Sequence, residues 1–325
     1  MIRLLVLLAA LMLDRLVGDP DWLWRRLPHP VVWFGAAIGL ADRHLNREDD
    51  SPAKRRMKGR VAIAALLLLA VAAGLLVHFL LFRLGPLGWL LEAVIVAVLL
   101  AQKSLADHVA AVPAALRTGG IEAGRKAVSM IVGRDPDTLD HPAVGRAALE
   151  SLAENFSDGI VAPVVWYAIA GLPGLLAYKM LNTADSMIGH LNDRYRDFGR
   201  AAALLDDVAN LPASRLSAAL IACGAAVSVS AFAGRRALVT AFRDAGLHRS
   251  PNAGWPEAAM AGALGVALAG PRFYGGVKVV EPSLNGSGRL EVGTADIDRG
   301  LRIYGHACTA LSLLVFSALL ISVFI

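Results

Sequence analysis

Carboxylate side chains recur at helical spacing in residues 150–159. Glu150, Glu154 and Asp158 follow one another every four residues, and no lysine or arginine lies among these ten residues. On a helix the three carboxylates would share one face, and their repulsion would destabilise the helix unless a cation neutralised it. Mg²⁺ beside a bound phosphate is such a cation, and a solvated acidic face is the alternative. We favour the first interpretation, with all three as Mg²⁺ ligands and Glu154 also as a catalytic residue.

A second cluster joins amides and carboxylates to arginines in residues 182–200. Asn182, Asp185 and Asn192 approximate one helical face, on which Gly189 makes room. Oxygen ligands suit Mg²⁺ and guanidinium groups suit phosphate. The alternatives are a capped interfacial helix with snorkelling arginines and, for the histidine, a structural hydrogen bond. The predicted catalytic residues are Asn182, Asp185 and His190, the predicted Mg²⁺ ligands are Asp185 and Asp193, and the predicted phosphate-binding residues are Asn192, Arg194 and Arg196.

Three further motifs carry weaker signals. Asp206-Asp207, followed by Asn210, indicates a metal site or a helix terminus about equally. In residues 248–257, Pro and Gly set a rigid turn in which Asn252 caps the next helix or binds a ligand. Lys278 follows a Tyr-Gly-Gly turn and could add a point charge to a phosphate site, although the chain has no Walker A motif. We predict Asn252 and Lys278 as substrate- or phosphate-binding residues.

The composition indicates that a membrane positions these clusters. Of the 325 residues, 56% are apolar and 18% charged, and the mean hydropathy is +0.55. Soluble domains are about 25% charged, so the composition excludes a disordered chain and favours a membrane protein over a soluble two-domain protein. The net charge of +5 is typical of cytoplasmic loops and does not indicate nucleic-acid binding. Two cysteines, Cys223 and Cys308, both in apolar runs, exclude a disulfide framework and a cysteine-based zinc site, and we expect both thiols to be buried.

Long apolar runs predict the membrane segments. A spanning helix needs about 20 apolar residues, and residues 61–82, 86–100, 216–233 and 307–325 fit, the first two as a hairpin. Residues 1–13 are short, residues 160–181 are interrupted by Pro and Gly, and residues 257–270 suit a re-entrant segment. We therefore predict an all-α, polytopic integral membrane protein that forms a single domain over residues 1–325. It would have about four to six membrane segments, including broken or re-entrant helices, with polar cytoplasmic loops forming the site. The basic residues 54–60 place residues 15–60 in the cytoplasm, whereas the side of residues 234–249 stays open.

Long motifs in these segments resemble a known family over almost the whole chain. Between residues 13 and 276 they read LDRLVGDP, LPHPVVWFG, ESLAENFSDGIVAPVVWY, YKMLNTADSMIGHLNDRY, LDDVANLPASRL, SPNAGWPEAAMAGALG and YGG. The chain resembles the CobD/CbiB family of cobalamin biosynthesis, the adenosylcobinamide-phosphate synthases. The strings are long and unusual, and the polar motifs show no departure from the family pattern.

The resemblance implies an activity. The family joins (adenosyl)cobyric acid, a cobalt corrinoid, to (R)-1-amino-2-propanol or its O-phosphate through an amide on the f-position propionate. The reaction gives (adenosyl)cobinamide or its phosphate in a late step of vitamin B12 biosynthesis, and it consumes ATP with Mg²⁺. The resemblance also implies the cytoplasmic membrane of a prokaryote, an active site on the cytoplasmic side, and other late-pathway enzymes as partners. Trp255 is then predicted to contact the corrinoid, and an interfacial position is its alternative.

The residue chemistry agrees with this activity, and two other classes stay open. A carboxylate reacts with an amine only after activation, which requires Mg²⁺, cations for the phosphoryl group and exclusion of water. A Mg²⁺-dependent membrane phospho- or prenyltransferase would also carry Asp/Asn clusters. A non-enzymatic corrinoid transporter or scaffold would bury its charges within the spans. Because the polar residues here fall mostly in predicted loops, we favour the ligase.

Overall fold

The computed structural model describes residues 1–132, 136–270, 272–274, 277–279 and 282–324, with the backbone alone for residues 21, 272–274 and 277–279. Most of these residues are helical. The helices are α1 Ile2–Leu16, α2 Asp21–Trp24, α3 Pro30–Leu45, α4 Pro52–Phe82, α5 Pro86–Val98, α6 Gln102–Val128, α7 His141–Phe156, α8 Ala162–Ile188, α9 Arg200–Ser228, α10 Ala231–Asp244, α11 Gly254–Leu264 and α12 Thr294–Phe324.

Short antiparallel strand pairs follow α11. Strand β1 (Leu268–Ala269) pairs with β4 (Ser283–Leu284), with Leu268 opposite Leu284. Strand β2 (Arg272–Tyr274) pairs with β3 (Val277–Val279), with Phe273 opposite Lys278. These pairs are too short to form a layer of their own, so the described fold is all-α, as predicted.

Five helical stretches in the described part of the chain are long and apolar enough to cross a membrane. They are Pro52–Phe82, Pro86–Val128, His141–Ile188, Arg200–Ser228 and Thr294–Phe324. Many large apolar side chains on them are exposed, including Leu68, Leu76 and Phe79 of α4. Such surfaces are unfavourable in water and favourable against lipid chains. The predicted polytopic membrane protein and its hairpin, now α4 and α5, are confirmed.

The ends of several predicted segments differ from the observed helices. The predicted segment 216–233 ends early, because α9 stops at Ser228 and the Ser230 hydroxyl caps α10 by accepting from the Ala233 N–H at 3.1 Å. Helix α11 has 11 residues, most of them buried, and is too short to span. Helix α8 extends the interrupted segment to Ile188. One of the two free thiols, that of Cys223, is exposed although it was expected to be buried.

The chain divides into two compact units. The first comprises residues 1–101, 162–210 and 318–325, and the second comprises residues 102–161 and 211–317. A single membrane domain over residues 1–325 stays a prediction.

In the first unit, α4 packs along α8 through a glycine. A Cβ atom on Gly74 would lie 2.5 Å from the Cα of Pro173 and 2.8 Å from its N atom. Real Cβ atoms do not approach backbone atoms this closely, so any side chain at Gly74 would push the two helices apart. The absence of a side chain at this position therefore sets the spacing between α4 and α8.

Helix α8 is interrupted at Gly171, whose φ of 65° lies in the left-handed region that favours glycine. The break releases backbone carbonyls from the helical ladder. The Arg3 guanidinium of α1 donates to two of these carbonyls, at 2.8 Å to Ile169 and 3.3 Å to Ala168. An unsatisfied carbonyl in hydrocarbon is costly, so Arg3 stabilises the broken helix.

A buried carboxylate in the same unit, that of Glu92, has contacts with two polar side chains of neighbouring helices. Glu92 of α5 accepts from the Tyr167 hydroxyl at 2.7 Å and lies 2.9 Å from the Nδ1 atom of His78. Intramembrane carboxylates are costly unless they are paired and hydrogen-bonded. These contacts join α4, α5 and α8, so we assign Glu92 to packing.

His29 caps α3 in the first unit. Its Nδ1 atom accepts from the Val31 N–H at 3.3 Å, so the proton lies on Nε2, which is 3.2 Å from the carbonyl oxygen of Val98. Burial lowers the pKa of His29 below its usual 6.5, a trend that the Lys179 charge adds to and Asp19 opposes. Protonation of Nδ1 would remove the cap, because that atom would no longer accept a hydrogen bond.

We therefore expect stability to fall as the pH drops below 6.5, because the unfolded chain takes up the His29 proton before the folded one does. In His29→Asn, which retains a capping acceptor but does not titrate, this part of the acid sensitivity should disappear. Thermal unfolding of both proteins in nanodiscs between pH 7.5 and 5.5 measures the difference. Equal losses of stability in both proteins would contradict the assignment.

Candidate functional site

The last turns of α8 and the first turns of α9 bring amides and carboxylates together in the first unit. Asp206 is buried, with 7% of its surface exposed. Its Oδ2 atom accepts from the Asn210 amide at 2.9 Å, and the Asn210 Oδ1 atom accepts from the Tyr178 hydroxyl at 2.8 Å. We call this group the Asp206 cluster, and its members are Tyr178, Asn182, Asp185, Asp206, Asp207 and Asn210.

The second oxygen of Asp206 is buried without a hydrogen-bond donor. Among the residues that the structure describes, its Oδ1 atom has no partner. The groups that interact with this carboxylate by hydrogen bonding or electrostatics are the amides of Asn210 and Asn182 and the carboxylates of Asp185 and Asp207. No lysine or arginine of the described chain is among these groups. A buried carboxylate oxygen with neither a donor nor a cation is unusual in a native structure. The cluster is therefore suited to receive a cation.

Gly189 makes room for Asp185 at the end of α8. Its N–H donates to the Asp185 carbonyl at 2.7 Å, and a Cβ atom at this position would overlap the Asp185 Oδ1 atom. The sequence prediction that Gly189 makes room on this face agrees with the packing. Asp185 and the amide of Asn182 both act on Asp206, so two of the predicted catalytic residues lie in the cluster.

The loop after α8 uses its first arginine for its own structure. Arg194 donates to the Asp42 carboxylate at 2.7 Å, and this contact, with Tyr195, raises the pKa of the guanidinium. The Arg55 side chain donates to the carbonyls of Asp193, at 3.2 Å, and of Arg194. These bonds link the loop to α3 and α4. Phosphate binding by Arg194 stays a prediction, and a phosphate would have to compete with Asp42 for the guanidinium group.

The remaining polar side chains of this loop are exposed. His190 interacts electrostatically with Asp185, and Asp193 is exposed to solvent. The Asn192 Oδ1 atom accepts from the Tyr195 N–H at 2.9 Å, which stabilises the turn. The Arg196 side chain is exposed and makes no hydrogen bond or ion pair within the described parts of the chain, while its backbone N–H donates to the Asn192 carbonyl at 2.8 Å. Of the predicted phosphate ligands in the loop, Arg196 is the most available.

The first acidic motif lies in the second unit. Glu150 is buried, and its Oε1 atom accepts from the Ala269 N–H at 2.8 Å, at a residue with a positive φ of 56°. Glu154 is exposed, and Asp158 lies in the π-helical turn Ser157–Val161. Glu150 and Glu154 lie four residues apart in α7 as expected, whereas the π-helical turn interrupts the regular α-helical spacing before Asp158.

No compact all-protein metal cage is present in the described residues. Nowhere in them do three His, Cys, Asp or Glu side chains group closely enough to hold a metal ion. Mg²⁺ usually keeps several waters and binds one or two carboxylates together with substrate phosphates. Two carboxylates of the Asp206 cluster fit that mode of binding. The predicted Mg²⁺ ligands Glu150, Glu154, Asp158, Asp185 and Asp193 stay predictions.

The turn before α11 contacts an arginine in the second unit. Asn252 is 5% exposed and accepts from the Ser214 hydroxyl at 3.2 Å and from Arg215 at 3.3 Å. The Arg215 guanidinium lies over the Trp255 ring, 4.9 Å from its centroid. Two residues predicted to bind substrate therefore share one contact network. The side chain of Lys278 and the glycines before it lie outside the described residues.

Sequence reasoning missed four residues of these sites. Asp206 and Asn210 carried a signal, their spacing of four residues, which also suits a helix terminus. Tyr178 and Arg215 carried no signal, since their partners lie 32 and 37 residues away in the chain. The site was expected in loops, whereas the Asp206 cluster lies on helices α8 and α9. The side chains of the cluster meet through hydrogen bonds such as that from the Tyr178 hydroxyl to Asn210, and a site formed by the loops stays a prediction.

Comparisons with known proteins place the chain among its relatives. A cobalamin biosynthesis protein CobD from a Sinorhizobium species is 64% identical to it over 95% of this chain and 96% of its own. The CobD proteins of Brucella suis and Rhodobacter capsulatus are 55% and 45% identical, covering 100% and 95% of this chain and 99% and 95% of their own lengths. No solved structure matches the chain. The model of the CobD/Cbib protein family matches residues 7–304, and the chain belongs to that family.

Proposed function

We propose that the chain is an enzyme of cobalamin biosynthesis that forms an amide between a corrinoid carboxylate and an amino alcohol at the expense of ATP. The acid is (adenosyl)cobyric acid, which reacts through its f-position propionate. The amine is (R)-1-amino-2-propanol or its O-phosphate. One observation carries the proposal: the buried Asp206 carboxylate has an oxygen without a donor, and its neighbours in the described chain supply no cation.

The reaction has two chemical steps. A propionate oxygen attacks the γ-phosphorus of ATP, the bond to ADP breaks, and an acyl phosphate forms. The amine nitrogen then attacks the acyl carbon, the C–N bond forms, and the C–O bond to phosphate breaks. The amine must lose a proton, because an ammonium group has no lone pair with which to attack. A positioned carboxylate that accepts this proton contributes typically 10²–10⁴-fold to the rate.

Asp206 is suited to that proton transfer. The substrate ammonium can donate to the Oδ1 atom, which lacks a donor, while Asn210 holds the Oδ2 atom at 2.9 Å. The Tyr178 hydroxyl orients the Asn210 amide at 2.8 Å, so Tyr178 and Asn210 act as positioning residues. The burial of Asp206 excludes water, which would otherwise hydrolyse an acyl phosphate.

Two other carboxylates of the cluster are suited to the phosphoryl-transfer step, in which ATP and Mg²⁺ must be bound. Asp185 and Asp207 would hold Mg²⁺ through one or two carboxylate contacts, and bound Mg²⁺ would stabilise the charge on the transferring phosphoryl group. The Arg196 side chain has no partner among the described residues and is the best candidate in the loop for phosphate.

The membrane location belongs to the same proposal. The exposed apolar helices place the enzyme in a lipid bilayer, and we propose the cytoplasmic membrane of a prokaryote with the site on the cytoplasmic side. Other late-pathway enzymes are candidate partners. A membrane phospho- or prenyltransferase and a corrinoid transporter or scaffold are the competing functions. A transporter is expected to bury its charges within membrane helices, and the Asp206 cluster lies on helices, so the transporter remains a competing function.

We expect purified protein in nanodiscs to add the amine to adenosylcobyric acid only when ATP and Mg²⁺ are both present. The corrinoid is followed by mass spectrometry, with aminopropanol and its phosphate offered separately, and the larger kcat/KM identifies the amine. Omitting ATP should abolish the gain in mass, because the carboxylate then has no leaving group.

The competing functions give other results. No gain in mass with either amine, in protein that is folded and binds the corrinoid, would contradict the ligase and favour a transporter or scaffold. Transfer of a phosphoalcohol or prenyl group, without ATP, would favour the transferase.

A further inference from the structure

One edge of the Arg215 guanidinium is anchored to neutral groups in the second unit. Its Nη1 atom donates to the carbonyl of Leu211 at 3.1 Å, to the Ser214 hydroxyl at 3.0 Å and to the Asn252 Oδ1 atom at 3.3 Å. One face of the guanidinium lies over Trp255, 4.9 Å from the ring centroid to the Cζ atom. These contacts on an edge and a face hold the group in one orientation.

The anchor itself is rigid. Ser214 is fully buried, and its hydroxyl also donates to the Asn252 Oδ1 atom at 3.2 Å. The Asn252 N–H donates to the Ser250 hydroxyl at 3.2 Å, which fixes the turn before α11. The Trp255 ring meets the Phe242 ring nearly at right angles, with 5.3 Å between centroids. Arg215 is therefore preorganised, and little side-chain entropy would be lost when a ligand binds.

The opposite edge of the guanidinium is uncommitted. Its Nε and Nη2 atoms donate to no acceptor within the described parts of the chain, and Arg215 forms no salt bridge there. Burying part of an unpaired charge is unfavourable, so such a group is expected to receive an anion. The Nε–H and Nη2–H bonds form a fork that matches two oxygens of a carboxylate or phosphate.

Two other arginines of the same unit are paired with carboxylates. Arg243 donates to both oxygens of Asp244, at 2.6 and 2.7 Å, and Arg289 donates to Asp296 at 2.8 Å. In each pair the arginine pKa is raised because the carboxylate accepts its hydrogen bond. Arg215 differs from both, since its partners within the protein are neutral.

We propose that Arg215, Asn252 and Trp255 form an oxyanion-binding site for a carboxylate or phosphate group of a substrate. Arg215 supplies the charge and the two-pronged contact, Asn252 orients it, and Trp255 covers one face. The identity of the anion rests on the proposed function, which offers both a corrinoid carboxylate and phosphates. The site itself follows from the contacts of Arg215.

Arginine footprinting of the full-length protein in nanodiscs tests the site without measuring activity. Phenylglyoxal modifies accessible guanidinium groups, and peptide mass spectrometry measures the rate at each arginine. We expect inorganic phosphate, propionate or both to slow modification of Arg215. The rate at Arg243, whose guanidinium is already paired, serves as the internal control and should not respond to the anions.

Asn252→Asp provides the matched variant. The new carboxylate would neutralise the guanidinium at its anchored edge, so the anion concentration that half-protects Arg215 should rise about tenfold or more. Protection by phosphate alone would assign a phosphate, and protection by propionate alone a carboxylate. Absence of protection in the wild-type protein, or equal protection in the variant, would overturn the site. Loss of amidation chemistry with protection intact would refute the ligase and leave the oxyanion site standing.

Discussion

Asp206→Asn should lower the rate of corrinoid amidation by about 10²–10⁴-fold while leaving a folded protein. The substitution preserves size and an acceptor oxygen, so the contact with Asn210 at 2.9 Å has a neutral substitute. It removes the group that accepts a proton from the attacking amine. The measurement is a single-turnover rate by mass spectrometry at saturating ATP and amine, with circular dichroism and a monodisperse elution profile to establish folding.

The controls separate proton transfer from loss of negative charge. Asp197→Asn removes a carboxylate of the same unit that pairs with Arg56 at 2.7 Å, and it should retain most of the rate. Asp185→Asn should lose activity that added Mg²⁺ partly restores, if Asp185 holds the metal. Added Mg²⁺ should not restore Asp206→Asn. A rate within threefold of wild type in that variant would exclude Asp206 as the proton acceptor, since general base catalysis is worth far more.

Gly74→Ala should destabilise the protein by about 1–3 kcal/mol, because the added methyl group overlaps a backbone that cannot rotate away. The Cβ atom would lie 2.5 Å from the Cα of Pro173, two residues after the break at Gly171. Helix α4 must then move away from α8, and contacts along the whole interface weaken. Thermal unfolding in nanodiscs, followed by circular dichroism, measures the loss.

Gly305→Ala is the matched control, since Gly305 lies in α12 and an added Cβ would meet no described atom within 4 Å outside the nearby backbone of its own helix. Alanine is favoured over glycine in a helix interior by about 1 kcal/mol, so this variant should be neutral or stabilised. Equal effects of the two substitutions would show that close packing at Gly74 does not limit stability.

The membrane helices could be predicted from sequence because their signal is local. The apolar run that became α4 is uninterrupted, and the prolines and glycines of residues 163–174 correctly indicated an interruption in α8. The ends of α9 and α10 were less predictable. The apolar run continues past Ser228, and the cap at Ser230 depends on a hydroxyl that is unremarkable in the sequence.

The candidate site was only partly predictable, because its decisive properties arise from contacts distant in sequence. Asp185 could be chosen from its residue type and neighbours. The burial of Asp206 and its Oδ1 atom, which has no donor among the described residues, exist only in the folded chain, where side chains of α8 and α9 meet. The pairing of Arg194 with Asp42 joins residues 152 positions apart, and no local pattern announces it. Residue types and their spacing thus indicated the segment around Asp185. Only the folded structure shows which polar residues of that segment are buried together and which are paired elsewhere.

The hydrogen bonds between Arg3 and α8 cannot form until the ribosome has made α8, long after it has made α1. Arg3 and its acceptor Ala168 are separated by 165 residues. At about 5–20 residues per second, the ribosome makes the acceptor roughly ten to thirty seconds after the donor. Until then the Arg3 side chain must be solvated by water, lipid headgroups or the insertion machinery. The contact between α1 and α8 thus depends on a later stage of synthesis, and a ribosome paused before residue 168 would leave Arg3 without its acceptors on α8.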